Sequence, residues 1–266
     1  MKKVVTSFCF LMLMSCSTVK LNHTIKESRV SGEQFYTSAL SMQWKQRDSF
    51  ALKEILSGNM PTFLYKLVPI DVYIIDSVSN KKISATYYVS PDYLSVGTNA
   101  NWARIPLTPI TAQIIADSLN CFLPTRKMVN DIYAASVVKL APMPMYIYRD
   151  SSITMWQHHL IIEGQRAGRK GLIAGIKKDV VISDMLTRSS KSNRLAIYGW
   201  HQLNGKPIQP LYTGHVNWYA DYSHGIRLVY QKIKVNGKWM EYKAVMTDPI
   251  LKRLLSDEEH ADVIRY

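Results

Sequence analysis

Residues 72–89 read VYIIDSVSNKKISATYYV, and this stretch decides the class of fold. β-Branched and aromatic residues dominate both sides of Ser79-Asn80-Lys81, a tripeptide with the composition of a turn. Such an arrangement is typical of a β-hairpin. We therefore predict an antiparallel strand pair here, and the other elements are placed relative to it.

Helical patterns flank this hairpin on both sides. Between residues 34 and 55, apolar residues recur at roughly helical spacing, and Ser31 is a suitable N-cap. Further along, Thr108-Pro109 is typical of an N-cap followed by proline in the first turn, and Pro124-Thr125 begins a second helix. The sequence thus predicts an N-terminal helix and a central helix pair.

The second half of the chain is rich in strand patterns. Asn204-Gly205 and Asn236-Gly237 are strong signals for tight hairpin turns. The order helix, strands, helix pair, strands favours an α+β fold with a mixed or antiparallel sheet over a parallel α/β fold. Strands are predicted near 160–163, 172–182, 195–202, 226–235 and 239–245.

These patterns predict a single α+β domain over residues 31–256, with a sub-boundary near 142–150 as the alternative. Residues 16–30 are polar and lack periodicity, so they are predicted to be a tether. The acidic tail, 257–266, is predicted to be loose.

The first fifteen residues have the organisation of a signal peptide. Two lysines precede an apolar run, 4–14, that is too short to span a bilayer as a permanent helix. The run leads into Leu13-Met14-Ser15-Cys16, which resembles the lipobox of bacterial lipoproteins. The resemblance implies that residues 1–15 are removed and that Cys16 carries a diacylglyceryl group. It implies a membrane-anchored lipoprotein on the periplasmic or cell-surface side.

Charge and cysteine content narrow the range of partners. The formal net charge is +13, which attracts polyanions such as anionic lipid headgroups and wall glycans. Nucleic acid is not expected, because the basic residues are scattered and no DNA- or RNA-binding signature is present. With Cys16 modified, Cys121 is the single remaining thiol, so no intramolecular disulfide is expected. A solvated basic face is predicted for Arg166, Arg169, Lys170, Lys177 and Lys178.

Histidine clustering is the main chemical signal. Five of the seven histidines lie between His158 and His224, and the densest polar block is HVNWYADYSHGIR at 215–227. Histidine titrates near neutral pH and serves as acid, base or metal ligand. Loops at strand ends commonly hold reacting groups, and Asp221 precedes a predicted strand. We therefore predict a histidine-centred site in the second half.

One interpretation of this block is acid–base chemistry without a metal. His224 is the general acid or base, and Asp221 is the carboxylate that orients it. Tyr222 or Tyr219 supplies a second proton-transfer group, while Arg227 holds an anionic substrate.

A second interpretation is a metal site. His215, Asp221 and His224 are the ligands, and His201 or the His158-His159 pair completes the shell or supports it. Zinc is the metal that this donor set implies, with an open position for water. The spacing His-x5-Asp-x2-His matches no specific zinc motif.

Part of the block resembles the L,D-transpeptidase signature, in which a Ser-His-Gly-Cys run leads into isoleucine or valine and then arginine. Here Ser223-His224-Gly225 is followed directly by Ile226-Arg227-Leu228, and the cysteine is missing. His201 corresponds to the family's upstream histidine, so the resemblance covers 198–228. Because the missing residue is the family's nucleophile, the resemblance implies a related wall-facing scaffold without thiol chemistry. Chance similarity of a short motif is the alternative.

Aromatic residues surround the histidines. Tyr198, Trp200, Trp218 and Tyr219 are either strand-face aromatics or a platform on which sugar rings stack. We predict a hydrolase or transferase that acts on peptidoglycan or another envelope glycan, with Trp200, Trp218, Tyr219 and Arg227 as substrate contacts. The alternative is a non-catalytic glycan-binding or structural envelope lipoprotein.

Geometry discriminates between these two functions. If the imidazoles of His201, His215 and His224 converge with Asp221 in one cleft, the enzyme hypothesis is favoured. If they point apart, the binding hypothesis is favoured.

Overall fold

A computed structural model describes residues 19–22, 29–188 and 190–266. The predicted signal peptide, Cys16 and most of the predicted tether lie outside these ranges, so the expectations for them stay predictions. The described part of the chain has the predicted α+β fold, built from helices and from antiparallel and mixed sheets.

The described residues form seven α-helices and two 3-10 helices. Ser31, Thr108, Thr125 and Ser151 begin four of the α-helices, and their side chains accept hydrogen bonds from backbone amides of the first turn. The α-helices are α1 (Gly32–Ser38), α2 (Trp44–Leu56), α3 (Pro109–Ser118), α4 (Arg126–Ala135), α5 (Ser152–Arg166), α6 (Met185–Arg188) and α7 (Tyr242–Thr247). The 3-10 helices are Thr62–Tyr65 and Leu251–Leu254.

The strands of the described residues form two principal sheets. They are β1 (Val68–Ile75), β2 (Lys82–Val89), β3 (Ser95–Gly97), β4 (Trp102–Arg104), β5 (Cys121–Phe122), β6 (Val138–Lys139), β7 (Ile173–Ala174), β8 (Lys178–Val181), β9 (Ala196–His201), β10 (Pro207–Tyr212), β11 (His224–Gly225), β12 (Val229–Tyr230), β13 (Lys232–Val235) and β14 (Lys238–Glu241). The larger sheet has the order β14-β13-β2-β12-β5, with β1 paired to β2. The smaller sheet has the order β10-β9-β8-β11. Two further strand pairs are β3 with β4 and β6 with β7.

The larger sheet crosses the predicted sub-boundary at 142–150. Its strands β1, β2 and β5 come before that segment, and β12, β13 and β14 come after it. The main hydrophobic cluster likewise runs from Leu21 to Leu255. The described residues on both sides of 142–150 therefore share one sheet and one core.

The three predicted hairpins are confirmed. Strands β1 and β2 pair in antiparallel register, with Val72 opposite Ala85 and Ile74 opposite Ile83. Asn204-Gly205 joins β9 to β10. Asn236-Gly237 joins β13 to β14 with φ values of 45° and 83°, as a tight hairpin turn requires. Local turn chemistry therefore fixes these strand pairs.

Three predictions of individual elements needed correction. The N-terminal pattern forms two helices, α1 and α2, because the chain turns at residues 39–43. The predicted strand at 239–245 ends at Glu241, where α7 follows directly with Tyr242. The predicted strand at 160–163 lies inside α5. Buried Met155, His158, His159 and Ile162 recur at intervals of three or four, which is the spacing of one helix face.

The C-terminal tail is not loose. The Tyr266 hydroxyl donates to the Val181 carbonyl over 2.7 Å, and the Val263 amide donates to Asp184 Oδ1 over 3.0 Å. Arg265 adds a 2.9 Å ion pair with Asp117. These contacts dock 263–266 on the body. Within the described residues, no helix is both long and apolar enough to cross a membrane.

Candidate functional site

The candidate site lies at the edge of the smaller sheet. Strand β11 pairs in parallel with β8, which places His224 beside Lys178 and Gly225 beside Asp179. A Cβ atom on Gly225 would lie 2.5 Å from the Tyr93 ring, so glycine is needed for this close approach. The short strand thereby fixes the backbone of His224.

Asp221 is the electrostatic centre of the site. Its Oδ1 accepts hydrogen bonds from the Ser223 amide (2.8 Å) and hydroxyl (2.6 Å), and its Oδ2 accepts one from the Tyr219 hydroxyl (3.1 Å). The Arg149 guanidinium lies 3.0 Å from Oδ2. Burial opposes ionisation, but His224, Ser223 and Arg149 outweigh it and hold the pKa of Asp221 at about 2. The side chain is therefore a carboxylate at neutral pH.

His224 is a buried imidazole whose ring nitrogens have no hydrogen-bond partner among the described residues. The residue is 1% exposed, and its Nε2 lies 4.0 Å from Asp221 Oδ1. Burial lowers the pKa of His224 to about 4 against the attraction of Asp221, so the ring is neutral at pH 7. An unsatisfied buried polar atom costs about 1–3 kcal/mol. Both nitrogens of the neutral ring therefore keep unused hydrogen-bonding capacity among the described residues.

His215 and Tyr219 connect this buried ring to the surface. The His215 ring centroid lies 6.0 Å from that of His224 and 4.7 Å from that of Tyr219. The Tyr219 ring lies 5.7 Å from that of His224, edge to face. Both His215 and Tyr219 are partly exposed, whereas His224 is not. The three rings thus form one cluster that begins at solvent.

His201 does not join this cluster. Its Nε2 lies 3.0 Å from Asn130 Oδ1, and its ring stacks on Tyr133 at 4.4 Å, so its partners lie on α4. The neighbouring Trp200 faces the other way, toward Lys178 and Tyr222. The geometric criterion is therefore met in part. His215 and His224 lie near Asp221, as the enzyme hypothesis requires, and His201 does not.

Three predicted site residues are buried in contact with the body. The Tyr222 hydroxyl accepts a hydrogen bond from the Met145 amide over 2.6 Å. The Arg227 guanidinium donates to the backbone carbonyls of Ser90 (2.9 Å) and Ile173 (2.7 Å). Trp200 is 5% exposed. As placed, Arg227 holds two chain segments together and is not presented to a ligand.

Trp218 and Tyr219 are the predicted substrate contacts that reach the surface. They line a cleft of about 460 Å³, which Trp44 of α2 also lines. Both indoles are more than a third exposed. Trp44 was not predicted, because α2 is distant in sequence from the histidine block. Two exposed indoles in one cleft suit the flat faces of sugar rings.

Two further groups at the site were missed or misjudged. Arg149 pairs with Asp221, and the sequence did not predict this contact because the two residues are distant in the chain. Lys177 and Lys178 were predicted to be solvated, but both are buried in the strand region beside β11. Lys177 Nζ lies 3.2 Å from His158 Nδ1 and donates to the Tyr222 carbonyl, and burial lowers its pKa to about 7. The apolar run that follows Asp179 was the signal for burial.

The predicted metal site is not formed by the described residues. No group of three or more His, Cys, Asp and Glu side chains among them is arranged to hold a metal ion. The Asp221 oxygens are engaged by Ser223, Tyr219 and Arg149. As placed, His215, Asp221 and His224 do not fit zinc.

Cys121 does not replace the cysteine of the L,D-transpeptidase signature. It lies buried in β5 of the larger sheet, opposite Tyr230, and its thiol donates to the Leu119 carbonyl. Burial raises the pKa of this thiol well above its usual range. Ile226, which follows Gly225, is also buried.

Comparison with protein-family models, with curated proteins and with solved structures finds no match.

The buried histidines predict acid lability. Burial lowers the pKa values of His201 and His224 to about 4, and it also lowers the pKa values of His158 and His159 well below the usual range. In the unfolded chain these rings have pKa values near 6.5, so below that pH the unfolded state binds more protons. Each ring then removes up to about 1.4 kcal/mol of stability per pH unit. Asp179 offsets the loss of stability from one of these rings. Burial raises its pKa to about 7, so below that pH the folded protein binds a proton that the unfolded chain does not yet bind.

We expect the free energy of unfolding to fall steadily as the pH is lowered from about 6.5 toward 4. Urea denaturation at a series of pH values measures this slope. A His260→Ala control should keep the slope, because His260 is exposed. An unfolding free energy that stays constant between pH 7 and pH 5 would contradict the neutral state of the buried rings.

Proposed function

We propose that this protein is a membrane-tethered hydrolase or transferase that acts on peptidoglycan or another envelope glycan by acid–base chemistry. The observation that carries the proposal is the buried neutral imidazole of His224, with both nitrogens unpartnered beside the ionised Asp221. A neutral base next to a fixed carboxylate is suited to take a proton from water or from a sugar hydroxyl. The cost of its unsatisfied nitrogens favours a chemical role over a packing role.

The roles of the other residues follow from their positions. Asp221 stabilises the imidazolium that forms when His224 accepts a proton, and Ser223 and Arg149 hold the carboxylate in place. His215 is the partly exposed ring in contact with this centre, so it is the group that exchanges the proton with solvent or with a leaving group. The Tyr219 hydroxyl links Asp221 to the cleft.

The cleft is the proposed polymer-binding surface. The Trp44 and Trp218 indoles provide two stacking faces, and Tyr219 joins the cleft to Asp221. The net charge of +13 attracts an anionic wall polymer. A non-catalytic glycan-binding protein is the second candidate, favoured by the full burial of His224 and the exposure of the two indoles in the cleft.

Incubation of the purified protein with purified wall sacculi separates the two candidates. The enzyme proposal expects soluble fragments or altered cross-links, measured by chromatography of the digested wall. Sedimentation of the protein with sacculi, without any change in the wall, would instead favour the binding candidate.

Anchoring through Cys16 is the second part of the proposal, supported by the lipobox resemblance. We expect a Cys16→Ala protein to carry no lipid and to leave the membrane fraction after a salt wash. The reason is that the proposed anchor is the lipid on Cys16, and the substitution removes the thiol to which it would be attached. Cys121→Ala is the matched control and should stay in the membrane fraction. Absence of a diacylglyceryl group on Cys16, measured by mass spectrometry of the parent protein, would reject the lipoprotein assignment.

A further inference from the structure

Large apolar side chains are exposed side by side on one face of the body. In the loop before α5, Tyr146 is 87% exposed, Ile147 69% and Tyr148 79%. Ile153 of α5 lines a groove of about 700 Å³ together with these three residues. Clusters of exposed apolar residues on a protein surface mark interaction sites more often than chance. We name the surface formed by Tyr146, Ile147, Tyr148, Ile153 and Leu160 the apolar ridge.

The outer face of α5 extends the ridge. Ile153, Gln157, Leu160 and Gly164 follow one another at intervals of three or four, so they share one side of the helix. Ile153 and Leu160 are about half exposed, and a Cβ atom on Gly164 would meet open space. The ridge thus continues along much of the helix.

The loop of the ridge is held in place from both ends. The Met145 amide donates to the Tyr222 hydroxyl over 2.6 Å, and the Tyr222 amide donates to the Arg149 carbonyl over 3.0 Å. Tyr148 has a φ of 47°, a left-handed conformation that a bulky residue adopts at a cost. These contacts hold the backbone of the loop, on which the three apolar side chains lie exposed. A surface fixed in advance loses little conformational entropy on docking.

Basic side chains lie at both ends of the ridge. Arg149 follows the loop and is partly exposed, and Arg169 and Lys170 are exposed just after α5. Asp150 and Glu163 are the acidic residues between 140 and 170, and Glu163 pairs with Arg104 and Arg166. An apolar surface bordered by cations complements the interface of an anionic bilayer, where tyrosine and aliphatic side chains enter the headgroup region and basic side chains pair with phosphates.

We propose that the apolar ridge docks on the surface of an anionic lipid bilayer. This contact is separate from the lipid on Cys16 and from the chemistry at His224, and it needs neither. Docking would hold the candidate site close to the bilayer. The loop that carries the ridge ends at Arg149, and Arg149 is paired with Asp221 of that site. The ridge is thus a second, non-covalent membrane contact.

Vesicle sedimentation tests the proposal. The protein used is a chain beginning at Ser17, which keeps every residue that the structure describes and lacks Cys16, the predicted site of the lipid. It is mixed with vesicles of phosphatidylcholine alone or with added phosphatidylglycerol. The ridge variant is Tyr146→Ser/Ile147→Ser/Tyr148→Ser. The matched control is Tyr73→Ser/Ile75→Ser/Val78→Ser, which removes three exposed apolar side chains from the β1–β2 hairpin.

We expect the parent chain and the control to bind vesicles containing phosphatidylglycerol. The affinity of the ridge variant for these vesicles should be lower by about tenfold or more. Unchanged melting temperatures establish that both variants are folded. Equal binding of the two variants would overturn the proposal, because charge alone would then account for the affinity. Absence of vesicle binding, together with a dimer that only the ridge variant loses, would also overturn it and assign the ridge to a second copy of the chain.

Discussion

His224→Ala is expected to abolish turnover of wall sacculi while the protein stays folded. In the proposed chemistry, this ring accepts the proton, and loss of a general base typically lowers the rate by about 10²–10⁴-fold. The substitution breaks no hydrogen bond among the described residues, because neither ring nitrogen has a partner there. Its structural cost is the small cavity left behind. His224→Leu, which fills most of that space with apolar atoms, should match or exceed the parent melting temperature.

Activity and melting temperature measured on the same preparation decide the role of His224. His260→Ala is the control, since His260 is exposed and lies in the C-terminal segment. Full activity per folded molecule in His224→Ala would reject the site. A purely structural role would instead leave the activity per folded molecule unchanged while the stability falls through the cavity alone.

Asp221→Asn extends the same argument to the carboxylate. The amide keeps the shape of the side chain but removes the charge that stabilises an imidazolium and pairs with Arg149. Most of the activity should therefore be lost, as in other histidine–carboxylate pairs. Ser223→Ala, which keeps the charge and removes one hydrogen bond to it, should lose much less.

The elements that the sequence predicted well are those whose determinants are local. Asn236-Gly237 supplies the positive φ values that a tight hairpin needs, and Thr108-Pro109 caps α3 with residues adjacent in the chain. The wrong strand at 160–163 arose because a short apolar run has no period of its own. The intervals of three and four that reveal α5 become clear only over the whole helix.

The candidate site was predicted only in part, because some of its contacts are local in the sequence and others are not. Asp221, Ser223 and His224 lie within four residues of one another, so their contact is local. The pairing of Arg149 with Asp221 and the burial of Arg227 depend on segments brought together by the fold. No spacing in the sequence encodes such contacts.

Buried charges show this limit most clearly. Arg and Lys are rarely buried unless they are paired, so an isolated charged residue in a sequence is expected at the surface. Arg104 and Asp92 are both fully buried, in an ion pair that β4 and the segment after β2 bring together. The pair becomes predictable only when the register of the surrounding elements is known.

Asp92→Ala is expected to give the largest loss of stability, about 3–5 kcal/mol. Arg104 binds Asp92 through two parallel hydrogen bonds, Nε to Oδ1 at 2.8 Å and Nη2 to Oδ2 at 2.7 Å. Burial opposes ionisation of Asp92, but the Arg104 guanidinium outweighs it and holds the pKa of the carboxyl below its usual value. Removing the carboxylate leaves a buried guanidinium with Glu163 as its remaining acidic partner.

Urea denaturation at pH 7 measures this loss, with Glu241→Ala as the matched control. Glu241 pairs with Lys232 at 3.9 Å, and both side chains are about half exposed. Solvent screens such a pair, so its removal should change the stability by less than about 1 kcal/mol. Asp92→Asn should fall between the two, because it keeps one acceptor for Arg104 and loses the charge. Equal effects of Asp92→Ala and Glu241→Ala would mean that water reaches Arg104 in the folded protein and replaces the carboxylate.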